Sequence, residues 1–188
     1  MKKIAILLSI LVISFSTFSQ KWNADKAHSK VGFTVTHLML SEVDGNFKKF
    51  DASVISEKED FSDAIFEFTA DVNSVETGND MRNGHLQKAD MFDAEKFPTI
   101  SFKSTSISKV DAKKFRLNGN LTMKGVTKPV VFDLTLNGIG KSQRTQKPIA
   151  GFRLMGTIKR TDFGVGTMPS AVVSEEIEIR AVGEFGKE

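Results

Sequence analysis

The chain has no cysteine, no tyrosine, one tryptophan and four prolines in 188 residues. Without cysteine there are no disulfides, thiol nucleophiles, thiolate metal centres or iron–sulfur clusters, and no lipid anchor on a modified cysteine. The fold must stand on packing alone. Blocks of like charge are also missing. Lysine and arginine are scattered, whereas phosphate backbones call for clustered cations, so nucleic acid is not an expected partner. There is no Gly-x-Ser-x-Gly elbow and no phosphate-cradling glycine loop. Gly164-Val165-Gly166 lacks the strand-then-helix context such a loop needs and reads as a turn between the last strands. The histidines, His28, His37 and His85, match no compact metal spacing, so no metal site is expected.

The N-terminus reads as a separate unit. Lys2 and Lys3 precede an apolar stretch from Ile4 to Phe18, and Thr17 and Ser19 form a small-x-small site. That is the layout of a signal peptide spanning residues 1–19, with the domain on residues 20–188. The apolar stretch is shorter than the roughly 20 residues needed to cross a bilayer, so no membrane span is expected after cleavage. Lys2 and Lys3 carry most of the formal net charge of +3, and the basic balance says little about partners.

What the chain has in abundance is alternation. Phe115, Leu117, Gly119, Leu121 and Met123 share one side of a period-two pattern, and Val130, Phe132, Leu134 and Leu136 resume it beyond Gly125 and Pro129. One face is therefore apolar and the other wet, with a connection of about five residues joining antiparallel neighbours. The same pattern recurs at Val31–His37, Phe47–Ile55, Phe66–Val72, Ile100–Ser104, Phe152–Ile158 and Ile177–Phe185. About eight strands predict an all-β barrel or sandwich, closure being favoured because it removes edges. The sixteen phenylalanines suit either a packed core or a dry cavity.

Thr77 to Phe97 breaks the period. Thr77 is a candidate cap for a short helix through Asn79–Leu86, with a further turn over Asp90–Glu95. Arg82 and His85, three apart, would share a helix face where they could meet an anionic or carbonyl head group. His37 ends the apolar row of Val31, Phe33 and Val35, a position suited to the polar end of a cavity. Asp25, His28 and Ser29 are too close in sequence to converge as a nucleophile, base and orienter.

Eight segments in order resemble the YceI-like family. They are Trp22–Ser29, Val31–His37, Gly45-Asn46-Phe47, Ser74–Thr77, Arg82–Leu86, Phe97–Phe102, Leu121–Val130 and Arg160–Gly164, which together cover essentially Trp22 to Phe185. The resemblance implies a lipocalin-like antiparallel β-barrel of about eight strands with a helical excursion near residues 78–95. It also implies an exported, non-catalytic carrier, periplasmic or secreted, that holds a polyisoprenoid, isoprenoid quinone or similar amphiphile in its interior. No cofactor beyond that lipid is implied. The lumen is then expected at Phe33, Phe66, Phe68, Phe102, Leu121, Phe132 and Phe152, and the head-group end at His37, Arg82 and His85. Two departures stand out: Asn83 replaces an acidic residue after Arg82, and Met91 replaces an aromatic after Asp90. The alternatives are an enzyme on a lipid-like substrate with His37 or His85 as general base, a stress-related protein sequestering varied hydrophobic molecules, and a plain interaction domain. A homodimer is a further possibility.

Overall fold

The computed structural model describes residues 19–188. The expected signal peptide lies outside the described residues apart from Ser19. The elements are β1 (Gln20–Ala24), β2 (Lys30–His37), β3 (Ser41–Phe47), β4 (Phe50–Ser56), β5 (Ile65–Asp71), β6 (Val75–Glu76), α1 (Asp80–Leu86), β7 (Thr99–Lys109), β8 (Lys114–Met123), β9 (Val126–Lys141), β10 (Pro148–Lys159) and β11 (Glu176–Lys187). Short 3₁₀ turns cover Val72–Ser74 and Arg160–Phe163.

These strands build eight antiparallel walls. The first three walls are each broken in two, β1 with β2, β3 with β4, and β5 with β6. The sheet runs from these through β7, β8, β9 and β10 to β11, which closes on both halves of the first wall. Trp22 lies opposite Lys187 and Val31 opposite Ala181. Breaks in neighbouring walls are laced together: Lys48 N–H donates to Ser74 O and Lys49 N–H to Ser74 Oγ.

Alternation directs the side chains as expected. Along β8, Phe115, Leu117, Leu121 and Met123 are buried, and along β9 so are Phe132, Leu134 and Leu136. The connection between these strands is tighter than expected. Lys124 and Gly125, both with positive φ, make a two-residue turn between Met123 and Val126, the geometry that matches strand twist. Pro129 therefore sits inside β9. Pairing with β10 extends only as far as Asp133, so at Pro129 the missing N–H leaves no gap in that ladder.

The two ends of the barrel differ. The base carries the 57–64, 110–113 and 142–147 loops. Phe61, only 1 % exposed, reaches in from the first of these, edge-on to Trp22 at 5.2 Å and to Phe152 at 5.0 Å. Phe115, Leu117, Leu136 and Ala150 fill the rest of this end. Asp63 braces the plug loop by accepting from Ser56 Oγ (2.6 Å) and the Glu57 and Lys58 amides. Burial pushes its carboxyl pKa up, but these donors together hold it below the ordinary value. The mouth carries the 38–40 turn, the 77–98 excursion, the 124–125 turn and the 160–175 loop.

Candidate functional site

Between plug and mouth lies a cavity of about 390 Å³ with an almost wholly apolar lining, within the usual range of ligand pockets. Phe152 separates the two regions, packed edge-on against Phe61 below and against Phe66 at 5.3 Å. The seven residues expected at the lumen all line this cavity, as do His37, Arg82 and His85. The three polar residues are exposed at the mouth.

The hollow has a sequence cause. Phe33 lies against Gly45, its direct partner across β2 and β3. Phe102 likewise lies against Gly119, and Phe132 against Gly156. None of the three glycines has room for a Cβ. The rings therefore lie along the wall instead of across the lumen, the role glycine plays beneath aromatics in curved sheets.

The excursion closes over one side of the mouth. Its helix starts two residues later than the Thr77 cap would place it. The cap is Asn79, whose side chain accepts from the Arg82 amide at 3.0 Å. Thr77 serves differently: its hydroxyl and carbonyl oxygens accept from Arg82 Nε and Nη2, each at 2.8 Å. Asn83 accepts from the Thr77 amide and hydroxyl and donates to Glu76 at 3.0 Å. A carboxylate at 83 could not donate to Glu76, which accounts for the amide in this chain. Glu76 also accepts from Lys48 (2.6 Å) and the Gly78 amide (2.7 Å). Lys48 foremost, then Asn83 and the Gly78 amide, pull its carboxyl down to about 2. Phe92, beyond the helix, packs on Phe47 at 6.1 Å.

His85 Nε2 stands 3.1 Å from Asp90 Oδ2, and this contact lowers the Asp90 carboxyl. At the break in the first wall, between β1 and β2, Asp25 and His28 meet at 2.9 Å. A turn closed by the His28 amide on Asp25 O brings them together. Their contact lowers Asp25 and raises His28. Ser29 Oγ faces Glu184 O at 3.5 Å instead, so no triad forms. Among the described residues no group of three or more His, Asp or Glu is placed to hold a metal ion.

On the other side of the mouth the turn expected at Gly164-Val165-Gly166 lies between β10 and β11, but the role of Arg160 escaped sequence reasoning. Arg160, 2 % exposed, has no carboxylate partner and donates instead to five backbone carbonyls. Nε reaches Ser174 O, Nη1 reaches Val165 O and Gly166 O, and Nη2 reaches Met168 O and Val173 O, all within 3.1 Å. Every guanidinium N–H is used. Arg160 therefore shapes the 164–174 loop and has no donor free for a ligand. Through it Met168, Val172 and Val173 reach the cavity.

A family model for the YceI-like domain matches residues 22–185. A UPF0312 protein of Staphylococcus aureus is 31% identical over 166 residues, covering 86% of this chain and 94% of its own length. The crystal structure of Burkholderia cenocepacia BcnA aligns with TM-score 0.77 at 29% identity, over 86% of this chain and 98% of that one. A Campylobacter jejuni YceI protein aligns with TM-score 0.73 at 33% identity, over 81% and 90%. A polyisoprenoid-binding domain from Saccharophagus degradans, implicated in plant cell wall breakdown, aligns with TM-score 0.63 at 14% identity, over 89% and 98%. This last likeness is one of fold.

Proposed function

The chain belongs to the YceI-like family, and on that footing we propose that it is an exported, non-catalytic carrier of a long isoprenoid-type lipid. The tail occupies the barrel and the polar head lies at His37, Arg82 and His85. The observation that carries this reading is the cavity itself: closed below by Phe61, walled mainly by phenylalanine, with His37, Arg82 and His85 at its mouth. A buried methylene contributes about 0.8 kcal/mol, so a 20-carbon tail offers roughly 16 kcal/mol gross. Ordering of tail and side chains offsets much of that. The tail then supplies affinity and the rim supplies orientation. The name of the Saccharophagus degradans domain supports the isoprenoid class by analogy of fold. The signal-peptide layout supports a periplasmic or secreted location.

The His85–Asp90 pair is the feature an enzyme would need. Both groups are half exposed, and Thr77, a hydroxyl at the same mouth, is committed to Arg82 and Asn83. We read the pair as a hydrogen bond that fixes the rim. The test is native mass spectrometry of the protein purified from cells, followed by organic extraction. A stoichiometric prenyl-lipid mass is the expected result. A bare protein that also fails to take up added farnesol or a prenyl quinone would defeat the carrier reading.

A further inference from the structure

The mouth has two hairpin turns that each place two consecutive residues at positive φ, built from opposite chemistry. At 124–125 the positive-φ positions hold Lys124 and Gly125. At the β2–β3 turn they hold Leu38 (φ 53°) and Met39 (φ 59°), and the Leu40 amide closes the turn on His37 O at 3.0 Å. Such a turn favours Asn-Gly, and bulky residues with positive φ are outliers. Here the strained backbone serves to hold apolar side chains in solvent. Leu38 is 49 %, Met39 77 % and Leu40 86 % exposed. Strain of this kind at a surface position points to function.

The turn does not stand alone. The Leu38 amide donates to Val172 O at 2.9 Å, and His37 bridges Val173. This lays the turn beside the 164–174 loop that Arg160 holds. Neither 37–41 nor 164–174 contains Asp, Glu, Lys or Arg, in a chain where 26% of residues are of those types. Across the mouth, Met81 on the first turn of α1 is 85 % exposed.

We propose that the Leu38-Met39-Leu40 turn, with the charge-free 164–174 loop beside it, inserts into the headgroup–acyl boundary of a lipid membrane and seats the cavity mouth on the bilayer. The proposal rests on the carrier reading, since a long apolar ligand would then pass between bilayer and barrel without crossing water. Three observations select a membrane over other occupants. The patch is uncharged, as an acyl boundary requires. It is a protruding tip of three side chains, offering a few hundred Å² against the roughly 800 Å² per partner of a specific protein interface. It rims the mouth, where the cavity-lining His37, Arg82 and His85 are exposed, whereas Gln20, where the apolar N-terminal segment joins, lies at the base.

The test compares the protein with a Leu38→Asn/Met39→Gly/Leu40→Ser variant, both carrying the same N-terminus so that its contribution cancels. The variant installs the pair this turn prefers, and thermal unfolding should show equal or higher stability. Flotation with phosphatidylcholine vesicles should show partitioning of the unaltered protein that persists in high salt, weakened roughly tenfold or more in the variant. Binding of a fluorescent farnesyl probe in solution should be the same in both. Equal flotation of the two proteins, no flotation of either, or loss of flotation in high salt overturns the docking proposal. So does a change of dimerisation by the variant without a change in flotation. Selective flotation without probe binding in either protein supports docking while rejecting the carrier reading.

Discussion

The base and the mouth of this barrel use phenylalanine in opposite ways. At the base, Phe61 stands across the lumen with its edges against Trp22 and Phe152. Towards the mouth, Phe33, Phe102 and Phe132 lie against the wall over Gly45, Gly119 and Gly156. Both ends present buried phenylalanine to the interior. What decides between a filled and a hollow barrel is the residue on the neighbouring strand. A side chain there would push the ring inward, whereas a glycine lets it lie back.

The sharpest way to break this comparison is to make one substitution at both ends. Phe61→Ala removes a ring packed on all sides and should destabilise the protein by about 3–5 kcal/mol, transfer and cavity terms together. Phe102→Ala removes a ring that already borders empty space. The void term is largely absent there, and the loss should stay near 2 kcal/mol or below. Urea unfolding of the two variants measures the difference, and equal losses would mean that the base is no better packed than the lumen.

Next in size is Arg160→Met, which keeps the apolar stem and deletes all five donors. Carbonyls that cannot be rehydrated lose about 1–3 kcal/mol each. Those beside the cavity regain water, so a total near 3 kcal/mol is expected. The informative readout is where the effect falls. Amide exchange should quicken through 164–174 and leave β8 and the plug loop protected. Uniform loss of protection would show that Arg160 supports the whole barrel and not the mouth alone.

A smaller effect tests the hollow directly. Gly45→Ala places a methyl where the Phe33 ring lies, and no positive φ opposes the change. The ring must swing into the lumen. Binding of a long prenyl probe should weaken roughly tenfold, with stability changed by about 1 kcal/mol or less. Undiminished binding would place the tail elsewhere.

Much of this was legible in the sequence, and the limits have physical reasons. Period two identified the inward face of β8 and β9, so Leu121 and Phe132 could be placed inside. It does not say whether an inward ring crosses the lumen, because that depends on register: Gly45 matters only once it lies opposite Phe33. Phe61 belongs to no periodic run, since it enters from a loop at φ 58°. The Arg160 loop has no period and no local motif, and its order comes from one guanidinium gathering carbonyls across 165–174. The cap at Asn79 instead of Thr77 is a two-residue shift set by local chemistry, as both types cap helices. Helix face links Arg82 with His85, the strand pattern puts His37 at the end of an apolar row, and the barrel brings all three to one mouth.

The smallest effect concerns acid, and it separates the mouth from the base by location. Glu76 anchors the foot of α1 through Lys48, the Gly78 amide and Asn83, and these contacts hold its carboxyl at about 2 against an ordinary 4.5. Its folded-state pKa is depressed, so its contribution is complete above 4.5 and fades as pH falls towards 2. The group is partly exposed and screened by solvent, so the effect should be local and modest. Amide exchange across α1 should quicken over that pH window in the unaltered protein. In Glu76→Gln it should already be faster at neutral pH and change little on acidification, because the amide keeps an acceptor for Gly78 but loses the charge that holds Lys48. The base has its own carboxylates, Asp60 and Asp63, also held below their ordinary values. Protection around Phe61 should therefore fall with acid in both proteins alike. If Glu76→Gln altered the acid response around Phe61 as well, the two ends would be one cooperative unit, and the hollow half could not open without the packed half.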